Sequence, residues 1–340
     1  MKELLLHIGF PKTATTTLQE GVFLKLHNDG LINYLGRTQK STHTKFGSSH
    51  FNGHDYVVDI RKEFLFEKKI AQKAIKLKPG VLNVMSDEDL TIHPDFHKAQ
   101  FGLTKNPLGL TERLSELFSE ADKVTILLTL RNQSELIPSC YLQKYRFMYT
   151  GSDMKDFGLF LMDGRGGIRQ VTGNVFNFLH VTNIYKDHLG ASFKFLFFED
   201  LKFDQAAFIQ ALSDALRVNT AYLAPLLNQT HHRNRVKNST GKHFISIYKA
   251  YGIGKVFERM IGVEEFRLWM NRFWYMRYSV FRKYARKLLV KDLFIESPEI
   301  YAEHRQLIKE HFSESNHSLA CAFGLDMDKM KQYGYFKLDQ

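Results

Sequence analysis

The chain has 340 residues, 47 Lys and Arg against 36 Asp and Glu, and a net charge of +11. Apolar residues make up 44% of it, which excludes a disordered tail and leaves one large domain or two smaller ones. Two cysteines exclude a disulfide framework, no apolar run reaches membrane-spanning length, and the first apolar segment is too short for a signal peptide, so a reduced cytoplasm is the expected compartment.

Leu4, Leu5 and Leu6 form a short unbroken apolar run, the pattern of a strand buried on both faces of a parallel sheet. Residues 7–19 follow as HIGFPKTATTTLQ, a tight turn, a lysine, small residues, and then a helical pattern from about 16 to 26. Strand, loop and helix N-terminus together make an anion site, because unpaired amides and the helix dipole both face the loop. Lys12 adds a positive charge, and Thr13, Thr15, Thr16 and Thr17 add hydroxyl donors. The natural guest is a phosphate or a sulfate. The ATP-binding pattern G-x-x-x-x-G-K-[ST] is not met, because no second glycine precedes Lys12.

A stretch rich in His, Gly and Ser then runs to about residue 56, followed by an expected helix near 60–77 and a strand at 81–85. The turn Ser86-Asp87-Glu88-Asp89-Leu90 ends that strand and is the best source of a general base, Glu88 first and Asp87 as its rival. Acids there also suit a helix N-terminus. His7 and His93 are weaker candidates, since a lone histidine is more often packed or solvated. A helix at 111–121 leads into a strand at 124–130, which ends in Arg131 and is followed by a helix at about 134–149 carrying Ser139. Arg131 can fork onto phosphate oxygens, with Ser139 donating from the facing helix. A strand at 193–198 precedes Glu199 and Asp200, expected to be structural caps, and an amphipathic helix at 204–216.

Strands alternating with helices predict an α/β fold, a P-loop-like doubly wound parallel sheet flanked by helices. Ligands in such sheets lie beyond the carboxyl ends of the strands, where Lys12, the 86–89 turn and Arg131 all fall. Without a linker or repeat, residues 1–340 read as a single domain, with 242–298 as a helical insertion or acceptor-side subregion. Within it, 266–291 holds eight Lys or Arg and no acid, and Trp269, Phe273, Met276, Val280, Tyr284 and Leu288 share one helical stripe. That segment reads either as a helix packed on the core or as a contact for anionic lipid or acidic glycan. His231 and His232 lack cysteines or spaced acids nearby, so no metal is expected. No nucleic-acid recognition motif accompanies the charge.

The run Pro11-Lys12-Thr13-Ala14-Thr15-Thr16-Thr17-Leu18 resembles the 5′-phosphosulfate loop of sulfotransferases that use 3′-phosphoadenosine 5′-phosphosulfate (PAPS). Ala14 stands where that family usually has glycine. Alanine disfavours positive φ, so the match requires Ala14 to sit in the first helical turn. Arg131, with Ser139 eight residues on, resembles the family's 3′-phosphate site. Glu88 resembles the Ser-x-Glu position of bacterial members. The Phe195-to-Leu201 run, Ser315 to Ala320, Gly324-Leu325-Asp326 and Tyr333-Gly334-Tyr335 are similar to later parts of the same enzymes. In that family a basic segment at a similar place closes over the nucleotide; Arg233, Arg235 and Lys237 read either as that segment or as a solvated basic loop.

The resemblance is to the bacterial type. It implies PAPS as co-substrate, no metal, and transfer of a sulfuryl group to a hydroxyl of a carbohydrate or glycolipid, with peripheral contact at an anionic membrane face. Lys12 and Glu88 would be catalytic. Lys12, Thr13, Ala14, Thr15, Thr16, Thr17, Arg131, Ser139, Arg233 and Lys237 would bind the nucleotide. A P-loop kinase and a non-catalytic nucleotide-binding scaffold are the alternatives.

Overall fold

The computed structural model describes residues 1–35, 77–86, 90–91, 119–145, 154, 156–231, 242–248, 290–296 and 298–336. Strands β1 (Glu3–His7), β2 (Ile32–Tyr34), β3 (Leu82–Ser86), β4 (Lys123–Leu130) and β5 (Ser192–Phe197) form one sheet in the order β2-β3-β1-β4-β5. All four pairings are parallel. The expected α/β doubly wound sheet is therefore the fold. β2 was not foreseen: at three residues it is too short to show a periodicity.

Alternation along β1 assigns the two faces. Leu4, Leu6 and Ile8 join one core with Ile126, Leu128, Leu130 and Met85. Leu5 joins the other with Val84, Leu127 and Leu196. The leucines of β1 are at most 1% exposed. Burying each one fully is worth roughly 1.5–3 kcal/mol, which is why the run reads as continuously apolar.

The helix after β1 is π-helical over Thr17–Phe23 and continues as α1 (Leu24–Asn28). Leu18, Val22, Phe23 and Leu26 seat it on the Leu5 face, beside α5 (Gln205–Leu216) and α6 (Thr220–His231). The other face carries α2 (Gln133–Lys144), α3 (Phe178–Leu189) and α7 (Ala302–Phe323). A short helix α4 (Phe198–Phe203) follows β5 directly, and α8 (Met327–Gln332) follows α7. Gly324 turns the chain between these two with φ 63°, as a left-handed helix end favours.

Strands β6 (Lys242–Tyr248) and β7 (Val290–Glu296) pair antiparallel in a separate ribbon. The segment expected to be a helical insertion is thus β-structured at both ends. His243-Phe-Ile-Ser-Ile-Tyr and Leu293-Phe-Ile are rich in the β-branched and aromatic residues that favour strands. The stripe from Trp269 to Leu288 lies outside the described residues, as do 60–76 and 111–118 of the helices expected at 60–77 and 111–121; residues 119–120 form a turn, not a helix end.

Candidate active site

After β1 the chain runs to β2 on one side of the sheet, and after the neighbouring β4 it runs to β5 on the other, so the carboxyl ends of β1 and β4 flank the crevice where such sheets take ligands. Gly9 begins the loop there. A Cβ at Gly9 would meet Thr15 Cγ2 at 2.6 Å and Thr13 Oγ1 at 3.0 Å, so only glycine lets the loop fold so closely on itself. The first helical bond runs from the Leu18 amide to the Ala14 carbonyl, at 3.1 Å.

The carbonyls of the loop are turned the other way. The Thr91 hydroxyl donates to the Gly9 carbonyl at 3.2 Å. Thr13 donates to the Phe10 carbonyl from its hydroxyl at 2.6 Å and from its amide at 3.2 Å. The Cys140 thiol, a weak donor, meets the Pro11 carbonyl at 3.5 Å. Arg131 Nη1 donates to the Lys12 carbonyl at 2.8 Å. Lys12 has φ 71° and Ala14 has φ 62°, and Thr13 between them does not share the positive φ. Alternation of left- and right-handed residues is the geometry of an anion-binding nest.

Two expectations about this loop need correction. Ala14 is not in a right-handed first turn. It occupies the left-handed region, which costs a non-glycine residue about 1–2 kcal/mol. The nest demands that conformation, and the tied carbonyls around it hold it in place. Thr13 is fully buried, with its hydroxyl committed to Phe10. It shapes the loop and offers no hydroxyl to a ligand. Thr15 and Thr17 are also buried, whereas Lys12, Ala14 and Thr16 are half-buried and reach the surface. Among the described residues Lys12 has no carboxylate partner.

Arg131 stands at the end of β4 as expected. Its guanidinium lies over the Phe198 ring at 4.7 Å. Burial is the main influence on its pKa and lowers it, with Glu135 opposing that shift. Nη2 is 4.0 Å from Glu135, and Nε is buried without a hydrogen-bond partner among the described residues. These two nitrogens lie along one edge of the guanidinium, the edge that forks onto an oxyanion. Lys202 Nζ sits 4.8 Å from the same Phe198 ring, so two cations share one aromatic surface. Ser139 is half-buried on α2, one residue before the thiol that meets the loop.

His7 lies under the loop. It is fully buried, with Nδ1 2.7 Å from Ser86 Oγ and Nε2 3.0 Å from Thr129 Oγ1. Burial pushes its pKa down to about 3, so it is a neutral packing group and not a base.

Glu199 and Asp200 brace the chain end, a wider role than a helix cap. Glu199 accepts from the Asn132 amide at 2.9 Å and from the Tyr335 hydroxyl at 3.0 Å. Its pKa is raised by burial, against the pull of those donors. Asp200 accepts from Lys329 Nζ at 2.7 Å and from the Tyr333 hydroxyl at 2.6 Å. Asn132 Nδ2 donates to the Tyr333 carbonyl at 2.8 Å. The Gly334 turn crosses close above it: a Cβ there would lie 2.8 Å from Asn132 Nδ2. Residues 329–335 are thereby strapped to the end of β4.

Sequence reasoning passed over Thr91, Asn132, Gln133, Cys140 and Asn316, which support the site without contributing a charge. The polar pair Asn132-Gln133 directly after Arg131 was the available signal. Asp87, Glu88, His93, His232, Arg233, Arg235 and Lys237 lie outside the described residues. Among the described residues no group of three His, Cys, Asp or Glu side chains could hold a metal, and no helix is long and apolar enough to cross a membrane.

The fold and loop define an open parallel α/β protein whose central strand ends in a tightly folded loop bearing Lys12, with Arg131 bonded to it. No family model matches the chain, and no curated protein matches it. Among solved structures it is similar to a sulfotransferase from Alicyclobacillus acidocaldarius, at 15% identity and a TM-score of 0.38, over 68% of this chain and 96% of that one. So distant a likeness decides nothing about the chemistry, which rests on the loop and on Arg131.

Proposed function

We propose that this protein is a PAPS-dependent sulfotransferase of the bacterial type. What supports the reading most is one observation. A lysine-bearing loop with its carbonyls turned inward is joined by a 2.8 Å hydrogen bond to an arginine whose Nε has no hydrogen-bond partner among the described residues. One cradle suits the 5′-phosphosulfate, and Arg131 with Ser139 suits a second phosphate on the same nucleotide.

The acceptor hydroxyl oxygen attacks sulfur in line. The sulfur–oxygen bond to the 5′-phosphate breaks, and 3′-phosphoadenosine 5′-phosphate leaves. Lys12 and the loop amides neutralise charge on the leaving phosphate, which is commonly the largest catalytic contribution. Glu88, or Asp87 in its place, takes the hydroxyl proton. Arg233 and Lys237 close over the nucleotide. No step calls for a metal.

The acceptor is a carbohydrate or a glycolipid hydroxyl. The basic segment 266–291 meets acidic glycan or an anionic membrane surface, and the compartment is the cytoplasm. Calorimetry with 3′-phosphoadenosine 5′-phosphate, then an acceptor screen with radiolabelled PAPS, tests the reading. Tighter binding of ATP with magnesium would replace it with a kinase. Nucleotide binding without transfer to any acceptor would leave a scaffold.

A further inference from the structure

We infer that Arg131 is a positioning residue for the anion loop as well as a reader of the second phosphate, and that Thr91 and Cys140 belong to the same positioning set. This rests on the nucleotide-binding reading above.

The carbonyls of Gly9, Phe10, Pro11 and Lys12 are consecutive, and each is met by a donor: Thr91, Thr13, Cys140 and Arg131 in turn. A peptide unit cannot turn its carbonyl inward without turning the following amide outward, because the unit is planar. Capturing these four oxygens therefore orients the amides of Phe10, Lys12 and Thr13 as a consequence; Pro11 has none, and Thr13 returns its amide to Phe10. The last capture matters most. Lys12 holds φ 71°, a conformation its side chain disfavours, and Arg131 donates to its carbonyl. The donor is cationic, sits at the end of the neighbouring strand, and is nearly enclosed, its side chain being 12% exposed.

Arg131 has donors enough for both tasks. A guanidinium carries five N–H groups. Nη1 is spent on Lys12, whereas Nε is unpartnered and Nη2 meets only Glu135 at 4.0 Å among the described residues. One edge thus holds the first anion site, while on the other Nε keeps a donor that no described residue uses. The two phosphate sites are coupled through a single side chain.

The test uses the full chain and two ligands measured by calorimetry. 3′-Phosphoadenosine 5′-phosphate fills both sites, and adenosine 5′-phosphosulfate fills only the loop. In Arg131→Ala both should weaken, the 5′-phosphosulfate by about tenfold, the factor one charge-assisted hydrogen bond is worth. Arg131→Lys keeps a single donor and loses the fork. It should restore most of the affinity for adenosine 5′-phosphosulfate while the 3′-phosphate preference stays lost. A merely structural role would not split the two ligands in that way. Cys140→Ser, which keeps a donor to Pro11, should bind adenosine 5′-phosphosulfate better than Cys140→Val. If Arg131→Ala weakens only the 3′-phosphorylated ligand, or if Arg131→Lys restores neither ligand, the positioning role is overturned and the nucleotide reading stands. If the wild-type protein binds neither ligand, that reading falls and the inference falls with it.

Discussion

Gln133 and Asn316 face each other as a complementary amide pair, 183 positions apart. Gln133 Nε2 donates to Asn316 Oδ1 at 2.9 Å, and Asn316 Nδ2 returns a bond to Gln133 Oε1 at 3.0 Å. Asn316 Nδ2 also donates to the Tyr335 carbonyl at 2.9 Å, and both amides are about 1% exposed. The pair locks the long C-terminal helix to the residue that begins α2, two positions after Arg131.

Removing one partner should therefore be costly. Asn316→Leu leaves the Gln133 Oε1 buried without its donor, while Nε2 keeps the Phe176 carbonyl at 3.3 Å, a loss of roughly 1–3 kcal/mol. Urea unfolding of the variant should show that drop. The double variant Gln133→Leu with Asn316→Leu should recover part of it, because no orphaned amide remains. A double variant less stable than the sum of the singles would contradict this account.

Ala14→Gly should stabilise the protein. Glycine takes φ 62° without the Cβ penalty that alanine meets, though its unfolded chain is more free. The net gain should be up to about 1 kcal/mol, read as a rise in melting temperature. Nucleotide affinity should hold or improve. A fall in melting temperature would mean that the loop does not hold Ala14 in the left-handed region in solution.

Lys12→Ala should abolish transfer without unfolding the protein. The side chain is half-buried on the loop surface and supports none of the core. Loss of one well-aimed charge at a developing anion should slow turnover by about 10²-fold or more. Near-normal turnover on an identified acceptor, with an intact circular dichroism spectrum, would remove Lys12 from the chemistry.

Glu88→Gln keeps the side-chain volume and removes the proposed base. Turnover should fall by roughly 10²–10⁴-fold while 3′-phosphoadenosine 5′-phosphate binds as before. Asp87→Asn is the control. If that variant shows the pattern and Glu88→Gln does not, the base is Asp87.

His7 makes stability fall with acid. Its pKa lies at about 3 in the folded chain, against 6.5 for an ordinary histidine. Between those values the unfolded chain binds a proton that the folded chain does not, so folding is fully favoured above pH 6.5 and weakens as pH falls toward 3. The slope for one proton is about 1.4 kcal/mol per pH unit. Urea midpoints at pH 7 and pH 5 should differ by more in the wild type than in His7→Gln, and equal differences would place the acid sensitivity elsewhere.

Much of the fold was legible in the chain. The strands at 82–86, 123–130 and 192–197 fall within a residue or so of where apolar, β-branched runs placed them, because a strand buried on both faces admits little else. Lys12 and Arg131 stood out because each is a cation at or just beyond the carboxyl end of a buried strand, where such sheets take ligands. Thr91, Cys140, Gln133 and Asn316 were not legible. Each acts by a hydrogen bond to a residue distant in sequence, and neither burial nor pairing at that range leaves a local pattern.

By itself the sequence determined the α/β class and the parallel, helix-flanked sheet, and it marked the loop after the first strand as the place to look for an anion site, since periodicity and composition are local properties. Tertiary structure decided the handedness of the loop. Local propensity favours a right-handed Ala14, yet it stands at φ 62° in a loop whose carbonyls at Gly9, Pro11 and Lys12 are met by Thr91, Cys140 and Arg131, donors distant in sequence. It also turned Glu199 and Asp200 from expected caps into anchors for Tyr333 and Tyr335, because a buried carboxylate must find donors wherever the fold brings them.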